Sequence, residues 1–587
     1  MPRVPGMQSD SRDRMRPRRF TTSCLRIARV RRSSLACMRA ERAIVRGFPE
    51  TCPIEHEIDM AGDPEVDRRT VLKTAAVGGL GLIVCDTLFG RSSLGNTAST
   101  GLGTPTVGSA AMQVETVEAN AAWFSERIWA ISGNKVVTQD GAAIPRTTLA
   151  RTICRPRSAE EIAAVIKSRP ESTPIACVCG GHESANASGY ASTEAIILDL
   201  LHLKSIEFSN DSEGMLVTVG AGVCFRELVE AVKANDGALP VGTGPGVGAV
   251  GYIVNGGLSG YFSRRLGLLG QCATRMTVVM ATGEIRVLTP SDPLFTAMLG
   301  AGSALAVVVD VTLRVAPQSV VRGGEQRVMA FETRAQAVAY SHRALRLMKE
   351  RILPDETVSM ELVVAGTKVL VATFVFYDGF KGSIADFVKP WEDLAAEMNL
   401  PVVAQSHWTS WYETAAALWP VIAGQKGDPL VSMYHAMGTR GMPDDATLAF
   451  VCDTVVAEAP LDEAAMSIVE IRALGGAAMS GRKLPTGNCH HAFFLDMITI
   501  YDAKGKSAEE RTAIADLTKR VVDKARAVDE LSIDLSGTHS QPDDPDRSAL
   551  AAVIFGTEDM AAMVKATKKQ VDPRNRFCFH PFAKFVS

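Results

Sequence analysis

The chain has 587 residues, more than one hydrophobic core usually serves, so two or more domains are expected. Hydrophobic residues make up 46% of it and charged residues 22%, the balance of an ordinary folded protein. A formal net charge of -3 offers no basic surface for nucleic acid, and 12 cysteines are too dilute for a disulfide framework.

Residues 1–59 are rich in arginine, lack lysine and hold no apolar period. Two readings compete: a disordered basic arm, or upstream sequence translated from a start placed too early. The second is favoured because a complete export signal begins at Met60. There Arg68 and Arg69 precede Thr70, Val71, Leu72 and Lys73, a run that resembles the twin-arginine export motif. The apolar stretch that follows is broken by glycine and ends at Asp86, too short for a stable membrane span. Residues 91–112 read as a leader. The expected location is the periplasm or the medium, with the twin-arginine translocation machinery as a partner. That route carries folded proteins, which suits a cofactor loaded before export.

Regular patterns begin at Arg151. In RPRSAEEIAAVIKSR, Ser158 and Glu161 form a capping box before an amphipathic helix. PIACVC and AIILDL read as short buried strands. Cys177 and Cys179 in the first are small buried residues, since their spacing does not suit zinc. FRELVEAVKAND reads as a helix. TRMTVVMATGEIRVLTP reads as a hairpin turning at Thr282-Gly283, and ALAVVVDVTLRVAP as a long strand. Beyond about residue 318, ETVSMELVVAGTKVLVATFVFYDG alternates like two antiparallel strands around Gly366. ADFVKPWEDLAAEM and EERTAIADLTKRVVDKARAV read as helices, HHAFFLDMITIY as a strand, and EDMAAMVKATKKQV as a last helix. Strands and helices alternate without clean βαβ units, so the class is α+β.

Gly246-Val-Gly-Ala-Val-Gly251 matches G-x-G-x-x-G letter for letter. A Rossmann reading also needs a strand before it, a helix opening on its third glycine and an acidic residue about 20 positions on. Pro240 and Pro245 interrupt the approach, further glycines follow, and no Asp or Glu occurs between Asp236 and Glu284. A nicotinamide cofactor is therefore not expected. A nest of backbone N–H groups binds anions without a long helix, and glycine lets a ligand approach the backbone closely. A second loop of this kind runs from Cys179 through Gly180, Gly181 and His182 to Tyr190. Two nests fit one pyrophosphate held from both sides.

With both loops in view, the chain resembles the FAD-linked oxidases of the berberine-bridge-enzyme and vanillyl-alcohol-oxidase type. CVCGGHESANASGY is similar to their first FAD loop and GPGVGAVGYIVNGGLSGYFSRRLGL to the second. DPLFTAMLGAGSALAVVVDVTLRVAP resembles the segment that closes the FAD domain. ILPDETVSMELVV, EIRALGGAAMSGRKLPTGNCHH and VDPRNRF resemble the substrate domain and the C-terminal return. The resemblance covers roughly residues 120 to 587. It implies a two-lobed FAD-binding domain of the PCMH type over 112–318, after a basic extension (1–59) and a signal with leader (60–111). An antiparallel-sheet substrate domain covered by helices follows over 319–540, and a segment over 541–587 returns to the FAD domain.

The resemblance also implies cofactor contacts. In the first loop these are Cys179, Gly180, Gly181, His182, Glu183, Ser184 and Gly189. In the second they are Gly244, Gly248, Gly251, Gly256, Gly257 and Gly260, with Val307 in the closing strand. His182 stands where relatives carry the flavin covalently; non-covalent contact and a plain solvated turn are the alternatives. Gly244 stands where bicovalent relatives have a second linking cysteine, so one bond is implied. The Leu299–Ala306 segment and His580-Pro581-Phe582 depart from the family pattern.

The implied activity is that of an FAD-dependent oxidase. It would take a hydride from a C–H next to O or N of a small metabolite, sugar or alcohol, with O2 as acceptor giving H2O2. The competing readings are a flavin dehydrogenase with another acceptor and a non-catalytic secreted binding protein on a degenerate scaffold. A base is needed over the flavin. HHAFFLDMITIYD places Leu495, Met497, Thr499 and Tyr501 on one side and Asp496, Ile498 and Ile500 on the other. Plant relatives often place a carboxylate base on this strand, near Thr499. Tyr501, facing the same way, is the first candidate and His490 the second; Tyr434 and His580 follow.

Overall fold

Ser158 has an extended backbone, and its hydroxyl accepts from the Glu161 amide at 3.3 Å, which starts the helix Ala159–Lys167. The Glu161 carboxylate bonds the Arg157 amide at 2.7 Å, so the cap reaches one residue further back than the pattern requires. The computed structural model describes residues 114–118, 121–128, 130–132, 152–182, 194–419, 430–461, 466–533, 547–579 and 583, all within one compact unit, Asp67–Ser587. The expected extension and export signal lie outside the described residues, as do Glu183, Ser184, Gly189 and His580.

Two sheets build the first part. One runs Glu115–Glu118, Thr152–Arg155, Ile196–Asp199, Ile175–Val178, antiparallel at its first pair and parallel after it. The other is antiparallel throughout, in the order Ile285–Leu288, Ala273–Val279, Val307–Arg314, Gly214–Gly220, Ile206–Asp211. The hairpin turns where the sequence places it, with Gly283 at φ 78 and Ile285 opposite Val279.

The remaining large sheet runs Val402–Trp408, Val321–Ala330, Val369–Tyr377, Val358–Ala365, Met466–Ala473, Phe493–Tyr501, Leu430–Thr439, Ala130–Ser132, with Ser532–Ile533 on the far side of Leu430–Thr439. Strand alternation gives it two faces. Phe374, Phe376, Phe493, Leu495 and Met497 pack into one core with the helices Arg334–Leu347, Ile384–Glu397 and Ala508–Ala525. Val375, Tyr377, Ala436 and Phe494 point the other way, into the core of the two smaller sheets. Arg264 ties the layers together. Its buried guanidinium donates to the carbonyls of Val358 (3.0 Å), Ile352 (2.9 Å), Leu353 (2.7 Å) and Leu474.

The chain end returns to the first sheets. Lys568 donates to the Ala304 carbonyl at 2.8 Å and pairs with Asp572 at 2.6 Å, both side chains being 1% exposed. Asp572 accepts from the amides of Arg576 and Phe577, each at 2.9 Å, and the Arg576 carbonyl accepts from the Ile175 amide at 2.8 Å. The helix Glu558–Val571 and VDPRNRF are thereby fastened to the strand that enters the first glycine loop. Removing one member of a buried pair strands the other charge. Asp572→Asn is expected to cost about 3–5 kcal/mol, read as a lowered midpoint of thermal unfolding. A loss below about 1 kcal/mol, the worth of an exposed pair, would show that this return does not hold the fold.

Candidate active site

The strand Ile175–Val178 delivers its chain into Cys179–His182. Asp199, fully buried, holds the Arg127 guanidinium at 2.8 Å and accepts from Trp123 Nε1 (3.1 Å) and Arg155 Nε (3.2 Å). Arg127 in turn donates to the Cys179 carbonyl at 2.7 Å. Gly181 sits at φ 73, where any side chain would strike the Arg127 carbonyl. The entry to the first loop is thus fixed by a buried charge network on the helix Ala121–Arg127.

The second loop is held by the start of the helix Phe225–Lys233, whose Phe225 and Arg226 amides donate to the Val247 and Pro245 carbonyls, each at 3.0 Å. The helix that follows Gly248, Ala249–Ile253, has only five residues, and the strand before the loop, Gly237–Ala238, has two. This is not Rossmann geometry.

The two loops meet. A methyl group on Gly180 would overlap the Gly248 amide, and one on Gly248 would overlap the Gly180 amide. A methyl on Gly246 would lie 3.2 Å from His182 Nε2, and one on Gly251 would lie 3.7 Å from Cys179 Cβ. Backbone faces backbone, with the His182 imidazole beside Gly246. Gly244 is close only to its own neighbour Val247, and Val307 is a fully buried strand residue. Gly256, Gly257 and Gly260 do not join the first loop. They approach Thr486, Leu269 and the Arg472–Glu361 pair, which lies on the large sheet.

That sheet presents a polar group toward Gly260. Glu361 lies opposite Arg472, and Glu470 opposite Asp496. The Arg472 guanidinium donates through Nε to Glu361 at 2.5 Å and through its two terminal nitrogens to Asp496 and Glu470. Tyr434, on the next strand, hydrogen-bonds the Asp496 carboxyl. Oδ1 of that carboxyl is buried without a hydrogen-bond partner. Burial, reinforced by repulsion from Glu470, raises the pKa of Asp496 to about 6 and also raises that of Glu361, against the pull of Arg472. Three carboxyls around one guanidinium can therefore retain a proton near neutral pH.

The residues expected to be catalytic lie away from this polar group. Tyr501 is 1% exposed and packs with Trp123, Phe124 and Ile514, on the side turned away from this polar group. Thr499 is buried near Thr518 of the helix Ala508–Ala525. The cause is strand parity: odd-numbered residues meet the covering helices, and Asp496 on the even face lies toward the glycine-loop layers. His490 lies in the turn Gly487–His490, against Gly556, rather than in the Arg472 group. Glu361, Glu470 and Arg472 were not singled out from sequence. Their signal was a pair of charges two apart in the otherwise apolar IVEIRA strand.

The residues of the two loops fit FAD: a cradle that admits no Cβ, and an imidazole at its side. Residues 150–289 match the FAD binding domain family model. The FAD-linked oxidoreductase tazG of Aspergillus terreus is 23% identical over 343 residues, covering 50% of this chain and 67% of tazG. For two further curated relatives the chain spans only 30% and 40% of their length. Among solved structures, a glucooligosaccharide oxidase of Acremonium strictum superposes with a TM-score of 0.61 at 18% identity, covering 79% of this chain and 94% of that one. The 6-hydroxy-D-nicotine oxidase of Arthrobacter nicotinovorans gives 0.59 at 20%, covering 81% and 99%. The match places an FAD-binding domain at residues 150–289, and the fold around it is that of the superposed oxidases.

Two outcomes test the geometry. Gly248→Ala is expected to lower flavin retention by at least about tenfold, since close-packed backbone has nowhere to move; the flavin-to-protein absorbance ratio reads this, and full loading would refute the contact. Asp496 binds its proton more tightly in the fold than in the unfolded chain. Its stabilising contribution is therefore present below about pH 4 and lost as pH rises through about 6. Wild type should lose thermal stability relative to Asp496→Asn across that window; a constant difference would show that Asp496 is ionised throughout.

Proposed function

We propose that the protein is an exported FAD-dependent oxidase that removes a hydride from a C–H next to O or N of a small molecule, with O2 as acceptor giving H2O2. The observation that carries this reading is the backbone contact between the two glycine loops, with His182 beside Gly246. Bound FAD supplies the hydride acceptor.

The chain's own residues supply the rest. Backbone around Gly180, Gly181 and Gly248 cradles the diphosphate, and the Arg127–Asp199 network keeps that cradle in place. His182 is the attachment point for a single covalent bond. The substrate lies between the second loop and the polar face of the large sheet, where Asp496, rather than Tyr501, takes the substrate's O–H or N–H proton. Arg472 and Tyr434 orient that carboxyl. Export rests on Arg68-Arg69 and the short apolar run behind them.

Mass spectrometry of the mature protein from its native host tests these points together. The peptide containing His182 should carry an added flavin mass that survives acid precipitation, and the new N-terminus should fall after Lys73. Flavin released into the acid supernatant would overturn the covalent bond. A colourless protein would overturn the flavin reading, and an intact Met60 segment would overturn export.

A further inference from the structure

The proposed reading leaves the substrate open between oxygen and nitrogen compounds, and the chemistry of the sheet face bears on that choice. Glu361, Glu470 and Asp496 carry three carboxyls, Arg472 one guanidinium, and no other Lys or Arg is among their hydrogen-bond partners in the described residues. The fully ionised group would hold two uncompensated negative charges. Water reaches it poorly, since Glu361 and Asp496 side chains are 6% and 0% exposed. Uncompensated charge in such a place is costly unless a proton or a cation joins it.

Two further observations point to a ligand. The buried Asp496 Oδ1 lacks a hydrogen-bond partner, although the same carboxyl meets Arg472 and Tyr434. Glu470 and Arg472 side chains keep 22% and 13% exposure, more than Glu361 and Asp496, and Tyr252 and Tyr434 lie beside them. The phenols of Tyr252 and Tyr434 feel the charges of Arg472 and Asp496. Tyr261 faces Glu361 and Glu470 from the second glycine loop, and Thr373 and Gln326 extend the same face on neighbouring strands. Carboxylates at the base of a site with aromatic rings at its side recognise an organic ammonium ion.

We infer that this site takes a small organic ammonium ion, a primary or secondary amine in its protonated form, seated on Asp496 Oδ1 and Glu470 between Tyr252 and Tyr434. The inference rests on the proposed function, because it makes this group the substrate subsite. Arg472 stays paired, and the incoming cation replaces the proton that the carboxyls otherwise share. Binding therefore releases a proton to solvent. The groups that set this exchange are Glu361, Glu470, Asp496, Arg472 and the surrounding tyrosines.

The test uses the purified holoprotein and matched pairs of probes: methyl-, butyl- and benzylammonium against methanol, butanol and benzyl alcohol, with cellobiose as the sugar. Dissociation constants come from calorimetry in two buffers of different ionisation enthalpy. At least one ammonium ion should bind about tenfold or more tightly than its alcohol near neutral pH. Its binding should release a proton, and should weaken as the pH falls toward 5. Glu470→Gln should reduce the preference about tenfold, while the flavin-to-protein ratio stays that of the wild type. If no ammonium ion outbinds its alcohol, if binding releases no proton, or if cellobiose binds more tightly than every amine, the inference is overturned. Should Glu470→Gln not fold, the proton release and pH dependence of the wild type decide alone. Failure of the flavin reading is visible separately, as missing flavin absorbance before any probe is added.

Discussion

Two peptide bends approach so closely that neither Gly180 nor Gly248 could carry a side chain. This contact is local in chemistry and long-range in sequence. It forces the strand Ile175–Val178 and the start of the helix Ala249–Ile253 to a fixed separation. Buried charge on one side supports it, through Asp199, Arg127 and the Cys179 carbonyl. On the other side the amides at the start of the helix Phe225–Lys233 hold the second loop. The C-terminal return adds a third support, since the Arg576 carbonyl pairs with the first residue of the strand that feeds the first loop. Three distant segments thus converge on one small piece of backbone, as expected where a dinucleotide must be gripped without side chains.

The large sheet solves a different problem. Its two faces are both covered, one by helices and one by the glycine-loop layers. Such a sheet would be expected to be apolar on both sides. Instead one face carries Glu361, Glu470, Arg472 and Asp496 in adjoining registers. Burying this group opposes stability, and a folded protein retains such a cost chiefly where function requires it. The raised pKa values of Glu361 and Asp496 follow from the same burial. The location beside Gly260 puts this group next to the second glycine loop rather than in a remote core.

Much of the local structure was legible in advance. The helix after Ser158, the hairpin at Gly283, the paired strands around Gly366 and the strand Phe493–Tyr501 all follow from caps, turns and alternation. Alternation even divided Phe493–Tyr501 correctly into its two sides. It could not say which side met the glycine-loop layers, because that depends on where the helix Ala508–Ala525 packs. Tyr501 has the chemistry of a base, but the helix packs against its face. Gly256, Gly257 and Gly260 were legible as points of close approach, but their partners, Thr486, Leu269 and the Arg472–Glu361 pair, come from distant sequence.

The sequence by itself determined the two glycine loops, the histidine beside them and the α+β class, because a glycine nest and a strand period are properties of a few consecutive residues. Only the tertiary structure decided which strand face meets the glycine-loop layers and which charges share it. Glu361 and Arg472 are 111 positions apart and meet through strand register. Register between distant strands is set by the packing of whole layers, and no short stretch of chain encodes it.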